Sequence, residues 1–142
     1  MELPPYKKSP TLPPLELEQP NNQPLRNKDI GKSPVLLIYF SPTCDHCIDQ
    51  MKEMQQHMDQ LKNFQVIMAT YQPMEELQLF IKKYNLGKYP FIRSGRDTKF
   101  LLPPFYKMAS MPYLALYDKK GQSITTFEGT TKVERIVKAF GK

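Results

Sequence analysis

The chain of 142 residues carries a net charge of +6 and a sequence pI of about 9.3, and this length is enough for one domain with its own hydrophobic core. Its 20 basic residues are dispersed as single residues and pairs, unlike the basic helix or ribbon typical of nucleic-acid binding. No apolar run approaches the roughly 20 residues that cross a bilayer, so we expect neither a nucleic-acid partner nor a membrane span.

The N-terminal part of the chain is rich in proline. Eight of the 14 prolines fall within residues 1–34, and proline favours extended backbone around it. We therefore predict an extended tail over residues 1–11 and a single domain over residues 12–142. Apolar and acidic residues alternate over residues 15–18, and a turn with two asparagines separates them from residues 24–26. This pattern predicts a β-hairpin that leads into the domain.

A buried strand that runs into a helix is predicted next. Residues 34–40 form an apolar run with β-branched and aromatic side chains, typical of a strand buried on both faces. Residues 41–43 end it, and apolar residues then recur at the three- and four-residue spacing of an amphipathic helix: Ile48, Met51, Met54, Met58 and Leu61. Cys44 therefore lies at or beside a helix N-terminus, where free N–H groups and the helix dipole stabilise a reactive thiolate.

The rest of the chain alternates strands and helices. Residues 64–71 predict a second buried strand, and capping residues place the next helix from about Pro73 to Gly87. Residues 113–117 and 123–127 flank a turn with a glycine, which predicts a hairpin. A last helix follows, with four apolar residues on its inner face: Val133, Ile136, Val137 and Phe140. This alternation predicts an α/β sheet.

Cys44 and Cys47 are the only two cysteines of the chain and form a C-x-x-C pair. They are one helical turn apart and can close a disulfide. A domain of this length needs no disulfide to fold, so the pair is a candidate dithiol reaction centre. A structural zinc site needs four ligands, and the chain adds only His46, between the cysteines, and His57. We expect no metal and no cofactor.

The order of these motifs resembles a known fold. A buried strand followed by residues 40–47, and then Met111-Pro112 before the hairpin of residues 113–127, is similar to the thioredoxin fold. The layout from Leu12 onward resembles the TlpA/ResA-type redoxins, a group of thiol-disulfide oxidoreductases. The resemblance implies a mixed central sheet flanked by helices, with an N-terminal β-hairpin over residues 12–29. It also implies an insertion within residues 75–108, before a cis-proline turn.

The resemblance implies roles for both halves of the site. Cys44 would attack a substrate disulfide and Cys47 would resolve the mixed disulfide. The Met111-Pro112 bond would be cis, which costs little before proline. The backbone of Met111 would pair with an extended substrate segment as an added strand, with Pro112 beside the thiolate. The alternative is a trans proline that starts an edge strand.

Residues around the cysteines are expected to tune the redox potential. His46 would stabilise a Cys44 thiolate and Asp45 would oppose it, so we expect a potential between the extremes of the superfamily. The preceding Pro42 and Thr43 are further tuning candidates, and Thr43 stands where relatives often have tryptophan. Related proteins carry acids near the second cysteine at positions that Ile38 and Gln50 occupy in this chain. We therefore expect Cys47 to lack a dedicated base.

The resemblance also implies the partners and the compartment. The partners would be protein thiols or disulfides and an upstream electron donor, the chain would be a monomer, and the compartment would be the bacterial periplasm or cell envelope. The N-terminus itself lacks the apolar core of an export signal. Two alternatives stay open: a redox-inert protein-binding module and a thiol-dependent peroxidase. For the peroxidase, Ser41 matches the expected residue before the reactive cysteine, but Leu37 occupies the expected proline position.

Overall fold

The computed structural model of the protein describes residues 10–141. Its strands are β1 (Glu16–Glu18), β2 (Pro24–Arg26), β3 (Val35–Tyr39), β4 (Gln65–Thr70), β5 (Ile92–Arg96), β6 (Tyr113–Tyr117) and β7 (Ser123–Glu128). Its α-helices are α1 (Asp45–Gln56), α2 (Met74–Lys83), α3 (Leu102–Tyr106) and α4 (Val133–Gly141). Short 3-10 helices lie at Asn27–Asp29, Met58–Gln60 and Leu86–Lys88. Within this part of the chain no helix is long and apolar enough to span a membrane.

The seven strands form one mixed sheet in the order β2-β1-β5-β4-β3-β6-β7. Strands β3, β4 and β5 are parallel to one another, whereas the outer strands pair antiparallel with their neighbours. The predicted fold class is therefore confirmed: a thioredoxin-like mixed sheet flanked by helices, with an N-terminal β-hairpin.

Both faces of the sheet are covered by apolar side chains. Successive residues of β3 point to opposite faces, so Leu36 and Ile38 pack towards α1, and Leu37 and Tyr39 pack on the other face. The first face is rich in methionine and includes Met51, Met54, Met58 and Met68. The second face is rich in tyrosine and includes Tyr39, Tyr106, Tyr113 and Tyr117. Strand β3, which leads to Cys44, is therefore buried on both faces.

The segment over residues 75–108 contains a strand, β5, that its sequence does not predict. The run Ile-Arg-Ser-Gly-Arg contains only one β-branched residue, Ile92, and no aromatic residue, so it has little of the composition that favours strands. The strand forms because β1 and β4 pair with it on both sides. Gly95 allows the close approach of β1, since a Cβ added there would lie 2.7 Å from the Leu17 Cβ.

One helix boundary differs from the prediction. Helix α2 ends at Lys83 rather than at Gly87, because Asn85 adopts the left-handed conformation with φ of 53°, which asparagine tolerates better than most residues. Of the predicted tail over residues 1–11, positions 1–9 lie outside the described residues. Its last two residues pair with the turn between β6 and β7, where Thr11 bridges Gln122.

Candidate active site

The dithiol lies where β3 runs into α1. Cys44 precedes the helix with extended backbone (φ −80°, ψ 127°), and its carbonyl accepts the first helical hydrogen bond, from the Ile48 N–H at 2.9 Å. The Cys44 side chain is half-buried and Cys47 is only 2% exposed, and both are free thiols. Cys44 is therefore the more accessible thiol, and Cys47 lies behind it in the core.

Burial controls the chemistry of Cys47. Burial raises the pKa of the Cys47 thiol to about 12, and the neighbouring Cys44 adds to this increase. The Ser41 N–H opposes it by donating to Cys47 Sγ at 3.5 Å. The net result is a Cys47 that stays protonated at neutral pH.

The second half of the site is the loop at Met111-Pro112. The peptide bond between these residues is cis, as predicted. The Cys44 thiol faces the Met111 carbonyl oxygen at 3.9 Å, the outer limit of a sulfur hydrogen bond. The two halves meet because β6 pairs antiparallel with β3, with Tyr113 opposite Tyr39 at the strand ends.

A segment that the sequence analysis overlooked contacts both halves. We call residues 128–131 the bridging segment. Its Gly129 N–H donates to the Pro112 carbonyl at 2.8 Å, and its Thr130 hydroxyl donates to the His46 carbonyl at 3.0 Å. The short polar run after a strand gave no signal of this role, since both contacts depend on pairing that only the folded sheet provides.

Gln50 joins the bridging segment to α1. This side chain is 2% exposed. Its amide donates to the Thr131 carbonyl at 2.8 Å and accepts from the Thr131 N–H at 2.6 Å. Gln50, one of the two positions at which the resemblance implies an acid, is thus a structural amide. The other such position, Ile38, is fully apolar, and within residues 10–141 no carboxylate bonds to either cysteine.

The predicted tuning residues lie at the surface beside Cys44. Asp45 and His46 are exposed, and within residues 10–141 neither side chain makes a hydrogen bond or an ion pair. Thr43 is exposed and its hydroxyl lies 3.3 Å from that of Ser41, whereas Pro42 is half-buried. The structure therefore brings all four next to the dithiol through chain connectivity, without fixing the two charged side chains.

Apolar grooves flank the dithiol on both sides. One has a volume of about 260 Å³ and shares Met111 with the site, and its rim includes Tyr71 and Phe100. These two rings are 46% and 47% exposed and meet edge to face with centroids 4.8 Å apart. The other groove, of about 160 Å³, lies beside Thr43 and includes Leu79, which is 68% exposed.

Within the described residues no group of three or more His, Cys, Asp or Glu side chains is arranged to hold a metal ion.

A helix-start dithiol that faces a cis-proline loop, on a mixed sheet of this order, defines a redoxin of the thioredoxin fold. The model of the AhpC/TSA family matches residues 10–137. The chain belongs to this family.

Solved structures show the same fold. A proposed thioredoxin from Neisseria meningitidis is 22% identical and superposes with a TM-score of 0.74, covering 92% of this chain and 87% of that chain. StoA from Bacillus subtilis is 17% identical with a TM-score of 0.68, over 92% and 98% of the two chains. A secreted disulfide oxidoreductase from Mycobacterium tuberculosis is 16% identical with a TM-score of 0.71, over 88% and 92%. No curated protein sequence matches the chain.

Proposed function

We propose that this protein is a thiol-disulfide oxidoreductase that exchanges its Cys44-Cys47 pair with protein substrates. The observation that carries the proposal is the arrangement of the two thiols. Cys44 is accessible at the start of α1 and faces the Met111 carbonyl at 3.9 Å, while Cys47 is buried one turn further on. An accessible attacking thiol with a sheltered second thiol is the arrangement that two-step exchange requires.

The reaction follows from this asymmetry. The Cys44 thiolate attacks one sulfur of the substrate disulfide, forms a mixed disulfide and releases the other sulfur as a thiolate. Cys47 then loses its proton and attacks the Cys44 sulfur, so the second substrate thiolate leaves and Cys44-Cys47 is oxidised. Two electrons and two protons pass to the substrate, and an upstream electron donor of the thiol class must restore the dithiol.

The second step is the slower one. The raised pKa of Cys47 leaves little thiolate at neutral pH, and neither Ile38 nor Gln50 can accept its proton. The departing substrate thiolate or water takes that proton instead. The mixed disulfide is therefore long-lived enough to hold a partner.

The substrate is proposed to be a polypeptide that lies along Met111. Its backbone would pair with Met111 as an added strand, and Pro112 has no N–H that would compete. The groove with Tyr71 and Phe100 on its rim begins at Met111 and would take an apolar side chain of the same segment. Aromatic rims are suited to this role because they combine apolar area with few rotatable bonds.

The redox potential is proposed to lie between the reducing and oxidising extremes of thioredoxin-fold proteins. His46 and the start of α1 favour a Cys44 thiolate, and Asp45 opposes them. Pro42 and Thr43 adjust access to the same sulfur. Titration of the dithiol against glutathione measures this potential, and a value at either extreme contradicts the tuning roles.

We place the protein, as a monomer, in the bacterial periplasm or cell envelope. The support is the secreted disulfide oxidoreductase among the structures of similar fold. Fractionation of the native host with an antibody against the protein, followed by size-exclusion chromatography, tests the compartment and the oligomeric state.

The direct test of the activity is insulin reduction with dithiothreitol as the electron source. The wild-type protein should accelerate it, and Cys44→Ser should not. Equal rates for the two proteins would favour the redox-inert binding module. Consumption of hydrogen peroxide by the wild-type protein, with no effect on insulin, would favour the thiol-dependent peroxidase.

A further inference from the structure

Glu128, the last residue of β7, reaches across to the loop that precedes Met111. Its Oε1 accepts hydrogen bonds from the Ala109 N–H at 3.3 Å, the Ser110 N–H at 3.1 Å and the Ser110 hydroxyl at 3.2 Å. Within residues 10–141 these two N–H groups have no other hydrogen-bond partner. A single exposed side chain therefore ties this loop to β7.

A second anchor holds the other side of Met111. The Gly129 N–H donates to the Pro112 carbonyl at 2.8 Å, and Gly129 has φ of 88°, a conformation that favours glycine. Met111 thus lies between two hydrogen-bonded points of the loop, and the neighbouring residues Glu128 and Gly129 make these hydrogen bonds. Its carbonyl cannot move away from Cys44 without disturbing one of them.

We propose that Glu128 is a positioning residue for the exchange reaction. Its carboxylate holds Ala109 and Ser110 so that the Met111 backbone stays where a substrate polypeptide pairs with it, next to Cys44. This inference rests on the proposed function and adds a residue that determines how well polypeptide substrates bind.

A carboxylate is chemically suited to this position. It accepts hydrogen bonds and donates none, and bonds from N–H and O–H groups to a charged oxygen are stronger than bonds between neutral groups. Without Glu128 the loop must be ordered by the incoming substrate, and this ordering weakens binding. The loss of affinity should be larger for substrates that pair with Met111 than for a small disulfide that contacts only Cys44.

The test compares Glu128→Ala and Glu128→Gln with the wild-type protein on two disulfides. Insulin serves as the polypeptide and bis(2-hydroxyethyl) disulfide as the small substrate. In Glu128→Ala we expect the ratio of kcat/KM for insulin to kcat/KM for the small disulfide to fall about tenfold, mainly through KM. Glu128→Gln keeps an acceptor oxygen, so its ratio should fall only about threefold.

Glu18→Ala is the matched control. Glu18 is also an exposed glutamate at the end of a strand, β1, five places from β7 in the sheet order, and its substitution should leave the ratio unchanged. Thermal unfolding verifies that each variant is folded. An unchanged ratio in Glu128→Ala, or a Glu128→Gln variant as impaired as Glu128→Ala, overturns the inference. Wild-type protein that reduces neither disulfide refutes the proposed function instead.

Discussion

The two halves of the site reach the same end of the sheet by different routes. The dithiol half is one continuous stretch in which β3 runs into α1 and places Cys44 and Cys47. The loop half is separated from Cys44 by 67 residues at Met111. It arrives there only because β6 pairs with β3. The bridging segment then contacts both halves.

The reactivity of the two thiols and their distance from Met111 therefore have separate structural origins. We infer that the accessibility of Cys44 and the burial of Cys47 make Cys44 the reacting thiol. Hydrogen bonds of the bridging segment to Pro112 and His46 connect the loop half to the dithiol half. Substitutions in the dithiol half should therefore change the chemistry, whereas substitutions in the supports should change stability or substrate binding.

The largest effect is expected from Cys47→Ser, which removes the second thiol and leaves the loop half of the site unchanged. Cys44 still attacks a disulfide, but no second thiol displaces the substrate, so turnover of insulin should fall at least about a thousandfold. One equivalent of substrate should remain attached to Cys44, as measured by mass spectrometry under non-reducing conditions. The double variant Cys44→Ser/Cys47→Ser is the control, and substrate captured by it would contradict the role of Cys44.

Gln50→Ala should weaken the link between the two halves. It leaves the Thr131 N–H and carbonyl buried without partners, which should lower the free energy of unfolding by about 2–4 kcal/mol. Urea unfolding followed by circular dichroism measures this loss. Gln56→Ala, at an exposed position of the same helix, should change stability by less than about 0.5 kcal/mol. Equal losses of stability in the two variants would show that the hydrogen bonds between Gln50 and Thr131 do not stabilise the fold.

The stability of the reduced protein should fall as pH rises from about 9 towards 12. The pKa of Cys47 is raised to about 12 in the folded protein, whereas an unfolded thiol titrates near ~8.5. The unfolded chain therefore ionises first, so the stabilisation is complete below about pH 8.5 and is lost as pH rises through the folded pKa.

The control for this pH effect is Cys47→Ala. Solvent screening reduces the contribution of Cys47 to this loss of stability. At pH 11 we therefore expect the free energy of unfolding of the wild-type protein to fall by about 1–2 kcal/mol more than that of Cys47→Ala. Tyr117, whose pKa burial also raises to about 12, is present in both proteins and cancels in the comparison. Urea unfolding at several pH values under reducing conditions measures the difference. Parallel pH profiles would contradict the burial argument.

The smallest effect is expected from Phe100→Asn, which probes the groove beside Met111. Phe100 has φ of 53°, a strained conformation for a bulky residue that asparagine tolerates. The variant should raise KM for insulin about fivefold, equivalent to roughly 1 kcal/mol, without loss of stability. Leu79→Ala, in the groove beside Thr43, is the matched control. A larger effect of Leu79→Ala would place the substrate on that side instead.

Much of the fold was predictable because its local patterns agree with its tertiary structure. The apolar run of β3, the helical spacing after Cys44 and the glycine turn between β6 and β7 each favour the conformation that is observed. Strand β5 was not predictable, since Arg-Ser-Gly-Arg has no strand preference and pairs only because β1 and β4 lie on both sides. The end of α2 at Lys83 rather than Gly87 depends on the tolerance of Asn85 for the left-handed conformation.

The candidate site likewise has features that were predictable from the sequence and features that were not. The C-x-x-C pair and its position at a helix start were predictable from the sequence alone, because both depend on residues close together along the chain. The proline opposite the dithiol was expected only from the resemblance to the thioredoxin fold. The folded structure was needed to reveal the 3.9 Å approach of Cys44 to Met111, the burial of Cys47 and the hydrogen bonds of Gln50 and Glu128. These features depend on strand pairing and desolvation between residues far apart in sequence, which no local pattern encodes.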